Sequence, residues 1–177
     1  GTDWEEADDA LQPLVEIVSN HGRFEYMGNR PIPHRGGLRG HFVQDALAMG
    51  RRIGIIGGSD NHGLIWHHKM ARQRDSYRTG LACVLAPNLS RAAVFEALRQ
   101  RRCFGTTGIK PRLDFRVNGH VMGAEIPAPV DGKVRIVANV TAQHVIKWMT
   151  VVKNNAVWYE YGGEGYTSKF TITDPEL

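Results

Sequence analysis

The chain has 177 residues, enough for one domain or two small modules. With 42% hydrophobic and 23% charged residues it has an ordinary globular composition, which excludes a disordered chain. No run approaches the ~18 apolar residues of a membrane span, and the acidic opening GTDWEEADD has no apolar core of a secretory signal. A soluble domain with no targeting segment is therefore expected, in a compartment that composition does not assign. The two cysteines, Cys83 and Cys103, are too few for a disulfide scaffold, and both sit in apolar strand-like runs.

The net charge of +4 is unevenly spread. Residues 1–20 carry six acids and no Lys or Arg, and residues 21–115 carry sixteen Lys and Arg against six acids. Residues 116–177 balance at six against six. A basic middle segment points to an anionic ligand. Aromatics are not interleaved with these arginines as a stacking platform requires, so a small anion ranks above nucleic acid.

In chain order, residues 4–11 suggest a short acidic helix, and PLVEIVS (13–19) reads as a strand. The stretch 20–37, rich in Gly, Pro, Asn and Arg, reads as a loop. LRGHFVQDALAMG places Leu38, Phe42, Ala46 and Met49 on one helical face, with Gly50 as its stop. RIGIIGGSD (52–60) is a second buried strand, and strand, helix, strand predicts a parallel crossover. A polar loop, 63–80, carries Lys69, Arg72, Arg74 and Arg78. LACVLA (81–86) is a third strand, and Ser90 caps the helix SRAAVFEALRQRR. Beyond Gly105 the pattern alternates between β-branched runs and turns, with Asn118-Gly119 and Asn154-Asn155 as hairpin turns. The expected class is α/β followed by all-β, with domains at 1–108 and 109–177.

The most informative stretch is GGSDNHG (57–63), directly after a buried strand, where parallel α/β folds and barrels place functional loops. Asp60 and His62, two apart, share one side of an extended segment and offer a carboxylate and an imidazole suited to Zn, Mn or Fe. The bland alternative is a turn-capping Asp60 and an incidental histidine, and the two readings weigh about equally. Glu16 interrupts an apolar strand, where a carboxylate is costly unless paired or liganded. His21 follows at the end of that strand. If the two strands are parallel neighbours, His21 and the Asp60/His62 loop emerge at one edge. Other histidines (His34, His41, His67, His68, His120, His144) read as loop or surface residues. Thr106-Thr107-Gly108 reads as a strand exit, with no Ser/His/Asp constellation around it.

VEIVSNHG, VQDALAMGRRIGIIGGSDNHG, GLACVLA, SRAAVFEALRQRRCFGTTG and RLDFRVNG, in that order, resemble the polymerase-and-histidinol-phosphatase (PHP) superfamily. Within it they are most similar to the DUF3604 branch, over roughly residues 14–123. The resemblance implies a distorted, TIM-like β/α barrel with divalent metal ions (Zn, Mn or Fe) at its C-terminal strand ends. It also implies phosphoester hydrolysis by metal-activated water. Asp60 and His62 match the last metal-ligand motif and carry the implied catalytic role, while His21 and Glu16 match the preceding one. Arg35, Arg39, Arg72 and Arg74 would hold a phosphorylated, anionic substrate.

The family's opening H-x-H motif is absent, and three α/β strands cannot close a barrel. The chain is thus expected to be the C-terminal part of a longer protein, with an incomplete metal site and self-association through the open barrel edge. The rival expectation, from a different class, is a non-catalytic module that binds a ligand or partner.

Overall fold

The computed structural model describes residues 2–30, 37–60, 80–163 and 165–175. The chain divides into two compact units, Gly1–Ile109 and Lys110–Leu177. Each is built differently.

In the first unit, β1 (Leu14–Ser19) pairs in parallel with β3 (Gly54–Gly57) and antiparallel with the two-residue β2 (Gly22–Arg23). The register runs Leu14↔Gly54 to Glu16↔Ile56, then resumes at Val18↔Gly57. A bulge thus leaves Ile17 without a partner on β3, the kind of local kink that re-aims neighbouring side chains. The connection between β1 and β3 contains α1 (Val43–Ala48), far shorter than the periodicity of 38–50 suggested. Asp45 accepts from the backbone N–H of Phe42 (2.9 Å) at its start. At its end Gly50, at φ 78°, donates to Leu47 O and Arg51 N–H donates to Ala46 O, a Schellman closure. Phe42 and Val43, each 2% exposed, anchor this helix in the unit's interior.

The expected helix over 4–11 is not formed. Instead the acidic stretch wraps around Arg51, whose guanidinium donates to the carbonyls of Trp4, Glu5 and Ala7. Asp9 faces the same guanidinium and also accepts from Arg52 N–H. Asp8 holds the following turn by accepting from Ala10 and Leu11 N–H. Carbonyls occupied by an arginine, and an aspartate bonding its own backbone, compete directly with helical i→i+4 pairing.

The β/α barrel and its α/β class do not survive. β4 (Leu81–Val84) and β5 (Cys103–Thr106) pair antiparallel, Leu81↔Thr106 to Val84↔Cys103, although a helix, α2 (Arg91–Arg99), lies between them. Leu85 N–H donates to Arg102 O, so the helix-bearing excursion closes at its base and returns the chain beside the strand it left. Ser90 Oγ accepts from Ala93 N–H and caps α2 as the sequence suggested. Among the described residues there are two short helices and one parallel strand pair, in a mainly β molecule of small sheets. With the barrel goes the reason to expect association at its open edge.

Glycine explains the arrangement of hairpin and sheet. A Cβ on Gly105 of β5 would lie 2.8 Å from the carbonyl carbon of Ile56 and 2.9 Å from Gly57 N. The two strands therefore meet backbone against backbone without forming a ladder, an approach open only to a residue without a side chain.

The second unit contains β6 (Arg112–Val117), β7 (His120–Val121), β8 (Val134–Thr141), β9 (Trp148–Lys153), β10 (Ala156–Gly162) and β11 (Thr167–Asp174). Four strands form an antiparallel sheet in the order β11-β8-β6-β7, and β9 and β10 form a hairpin. Asn118 and Gly119 (φ 49° and 82°) and Asn154 and Asn155 (φ 52° and 60°) supply the left-handed pairs that two-residue hairpin turns need. Ile136, Ala138 and Phe170 from the sheet meet Val151 from the hairpin in one core, flanked by Tyr159 and Tyr161. The Tyr159 and Tyr161 rings lie 5.7 and 5.5 Å from that of Phe170, so these aromatics are core.

Asp174, 4% exposed, ends β11 with its carboxylate accepting from Lys153 Nζ at 2.5 Å. Lys153→Met removes that donor and leaves a desolvated carboxylate, at a cost of about 1–3 kcal/mol. Urea unfolding checks this. Lys153→Met should lower the midpoint, and adding Asp174→Asn should recover part of the loss.

Candidate metal centre

The site is assembled where β1 and β3 end. Parallel pairing brings both C-terminal ends to one edge, and two backbone bonds beyond the ladder hold them together. Gly58 N–H donates to Val18 O (3.0 Å), and Asn20 N–H donates to Ser59 O (3.3 Å). This clasp carries His21 and Asp60 to the same place, with His21 Nε2 3.3 Å from Asp60 Oδ2. Both side chains are partly open to solvent, at 31% and 49% exposure. Asp60 takes a left-handed backbone conformation, φ 48°, which Asp tolerates better than most residues.

Glu16 completes the local group. Its Oε2 occupies the space that a Cβ on Gly58 would fill. Gly58 therefore leaves room beside a carboxylate. Burial pushes the Glu16 carboxyl up from its ordinary 4.5, a hydrogen bond from the Ser19 side chain pulls it down, Asp60 pushes it up and His21 pulls it down. These last two influences place Glu16 within electrostatic reach of both His21 and Asp60.

The raised value has a consequence for stability. Between 4.5 and the raised value the folded chain binds more protons at Glu16 than the unfolded chain does. Stability contributed here is present below the ordinary value and is lost as pH rises through the raised one. Glu16→Gln removes that loss. Its unfolding midpoint relative to wild type should be higher at about pH 7 than at about pH 4 in metal-free buffer.

His21 and Asp60 are thus brought together, and Glu16 is close enough to feel both charges. His62, Arg35, Arg72 and Arg74, with His34, His67 and His68, lie outside the described residues. Arg39 is exposed. His41 Nδ1 lies 2.5 Å from Thr2 O, a local tether of the first residues. Thr106 donates to Ile109 O and accepts from Gly108 N–H, as a strand-exit turn does. Cys83 and Cys103 are free thiols.

Among the described residues no group of three or more His, Cys, Asp or Glu side chains is placed to hold a metal ion. His21 and Asp60 nonetheless offer an imidazole beside a carboxylate, two donors of the kind a borderline divalent cation takes. Ser19 escaped the sequence reading. The available signal was the cost of a glutamate inside an apolar strand, which demands a hydrogen-bonding neighbour.

The family model described as "Protein of unknown function (DUF3604)" matches residues 49–137, half of the chain. The chain belongs to that family. An uncharacterized protein of Chlamydia trachomatis serovar D is 26% identical over 94% of this chain. Uncharacterized proteins of Chlamydia muridarum and Chlamydia pneumoniae are 23% and 26% identical over 98% and 99% of it. The chain spans about a third of each relative's length, 30 to 32%. No solved structure matches it. The DUF3604 description carries no activity, so it does not support describing the chain as a PHP-domain hydrolase, and the mainly β fold removes the barrel. Among the described residues, no helix is long and apolar enough to cross a membrane.

Proposed function

We propose that this chain supplies one edge of a divalent-cation site in a metal-dependent hydrolase, with a phosphoester as substrate. The observation that carries the proposal is the meeting of His21 and Asp60 at 3.3 Å across the ends of two parallel strands. A histidine meeting a carboxylate from a separated stretch of sequence supplies two of the donors a borderline cation needs. The likeness of VEIVSNHG and GSDNHG to PHP metal-ligand strings supports the same reaction class.

A bound Zn, Mn or Fe ion would activate water and polarise the phosphoryl oxygens. Asp60 and His21 would hold the ion, with His62, two residues beyond Asp60, as a further ligand. Glu16 would ligate it or hold a proton beside it. Arg39, with Arg35, Arg72 and Arg74, would bind the substrate's anionic group, in keeping with the basic middle segment.

Hydrolysis of an aryl phosphate with added manganese, by the longer protein of which such a segment forms part, tests the reaction. Asp60→Ala and His21→Ala should each lower the rate at least ~100-fold while leaving the fold intact. Wild-type rates in both would remove these residues from the chemistry. A chain that binds no metal and still captures a partner through its β unit would favour the binding-module reading.

A further inference from the structure

We infer that two copies of this chain pair reciprocally, the acidic turn that carries Leu11 in one copy seating on the apolar groove along α2 of the other.

α2 has nine residues, too few to hold a helix by propensity alone, so packing has to supply its stability. Within its own unit that packing is thin, because Ala97 is its one buried residue. A second apolar face is left open. Val94, Phe95 and Leu98, with Arg91 at the same helical spacing and Leu89 just before the cap, line an open groove of about 430 Å³. Leu89 is 99% exposed and Phe95 61%.

The rim of this groove is cationic. Arg91 stands in the first turn, which holds no acid, so a carboxylate arriving there meets a guanidinium and the positive end of the helix together. Arg99 lies over the Phe95 ring, 6.0 Å from its centroid. Glu96 is the helix's one acid, and its carboxylate accepts from the Gln100 amide. An apolar side chain flanked by carboxylates is what fits.

The same chain presents such a group. Leu11, 81% exposed, projects from a turn fixed by bonds from Leu11 and Gln12 N–H to Asp8 O (3.1 and 2.7 Å). Glu5, Glu6 and Asp8 beside it are exposed, and residues 1–20 hold no Lys or Arg. Leu11 and Leu89 are both open to solvent, so neither covers the other within one copy. Both surfaces belong to the unit Gly1–Ile109. Asp9 accepts from Arg52 N–H, and a Cβ on Gly54 would touch the side chain of Arg101, just beyond α2. The acidic stretch and the C-terminal end of α2 therefore share one end of the unit. A two-fold axis makes the contact twice and closes the pair. Opposite charges set its register, and burial of the leucines holds it.

Sedimentation equilibrium of the intact chain over a range of concentrations tests the inference. Wild type should pass from monomer to dimer as concentration rises, and less readily in high salt. Leu11→Ser and Leu89→Ser, both at exposed positions, should keep the fold and each weaken pairing about 10-fold or more. Charge exchange is the sharper arm. Arg91→Glu with Arg99→Glu, and Glu5→Lys with Glu6→Lys, should each leave the chain monomeric. Mixing these two variants should restore a heterodimer, because each offers the charge that the other needs. A wild type that stays monomeric at every concentration would overturn the inference and leave the groove to a different partner. Dimers that survive the Glu5 and Glu6 substitutions but not Leu89→Ser would overturn it in favour of α2 meeting α2. Failure of the two charge variants to pair when mixed would overturn it as well.

Discussion

Gly105→Val should unfold the first unit at markedly lower temperature than wild type. The added side chain begins 2.8 Å from the carbonyl carbon of Ile56 and 2.9 Å from both Ile56 O and Gly57 N. These are backbone atoms of β3, whose partner on the other side is β1. They cannot step aside as a flexible side chain can, so relief requires moving a strand. The expected cost is about 3 kcal/mol or more, at the upper end of overpacking effects. For a unit near 100 residues that corresponds to a melting temperature lower by roughly 12 °C or more. Gly162→Ala is the control, because nothing lies within 4 Å of its added Cβ and its backbone has no left-handed φ. Calorimetry should show a large shift for the first and almost none for the second.

Gly58→Ala should have the opposite profile, with a small effect on folding and a large one on the site. Its added methyl meets the end of the Glu16 side chain, which can swing away at little conformational expense. The carboxylate then leaves the position in which it feels the charges of both His21 and Asp60. Divalent-cation affinity should fall about 10-fold or more, the scale expected when a ligand is displaced or left unsupported. Melting should stay near wild type. Titration of Mn(II), read beside a thermal scan, separates the two effects. Unchanged affinity would show that the Glu16 carboxylate has no part in ion binding.

The contrast between these glycines shows what the sequence could and could not express. The strands over 13–19 and 52–60, the Ser90 cap and both asparagine-containing hairpin turns follow from local chemistry, and local chemistry is what a sequence displays. The edge that joins His21 to Asp60 was also legible, because parallel pairing of two apolar strands fixes where their ends emerge. What β4 does after Val84 was not legible. A helix between two strands ordinarily implies a parallel crossover. Here the excursion is closed by the bond from Leu85 N–H to Arg102 O, and the strands run antiparallel. No local signal separates these outcomes, since the difference lies in how a hairpin rests on a distant strand. The acidic opening is a similar case. Its composition suits a short helix, but the guanidinium of Arg51, over forty positions away, takes the carbonyls that the helix would use. Gly58 was visible as a residue but not as a neighbour of Glu16, because the folded chain makes that approach and no local pattern displays it.

We propose that His21 and Asp60 meet at one cation-binding edge. Equilibrium dialysis of the intact chain against Mn(II), with metal counted per chain by elemental analysis, tests it most directly. About one equivalent of bound metal in wild type, lost in Asp60→Ala while the thermal unfolding profile is retained, is the result expected. Metal-free wild type, or metal bound equally well by Asp60→Ala, would contradict it.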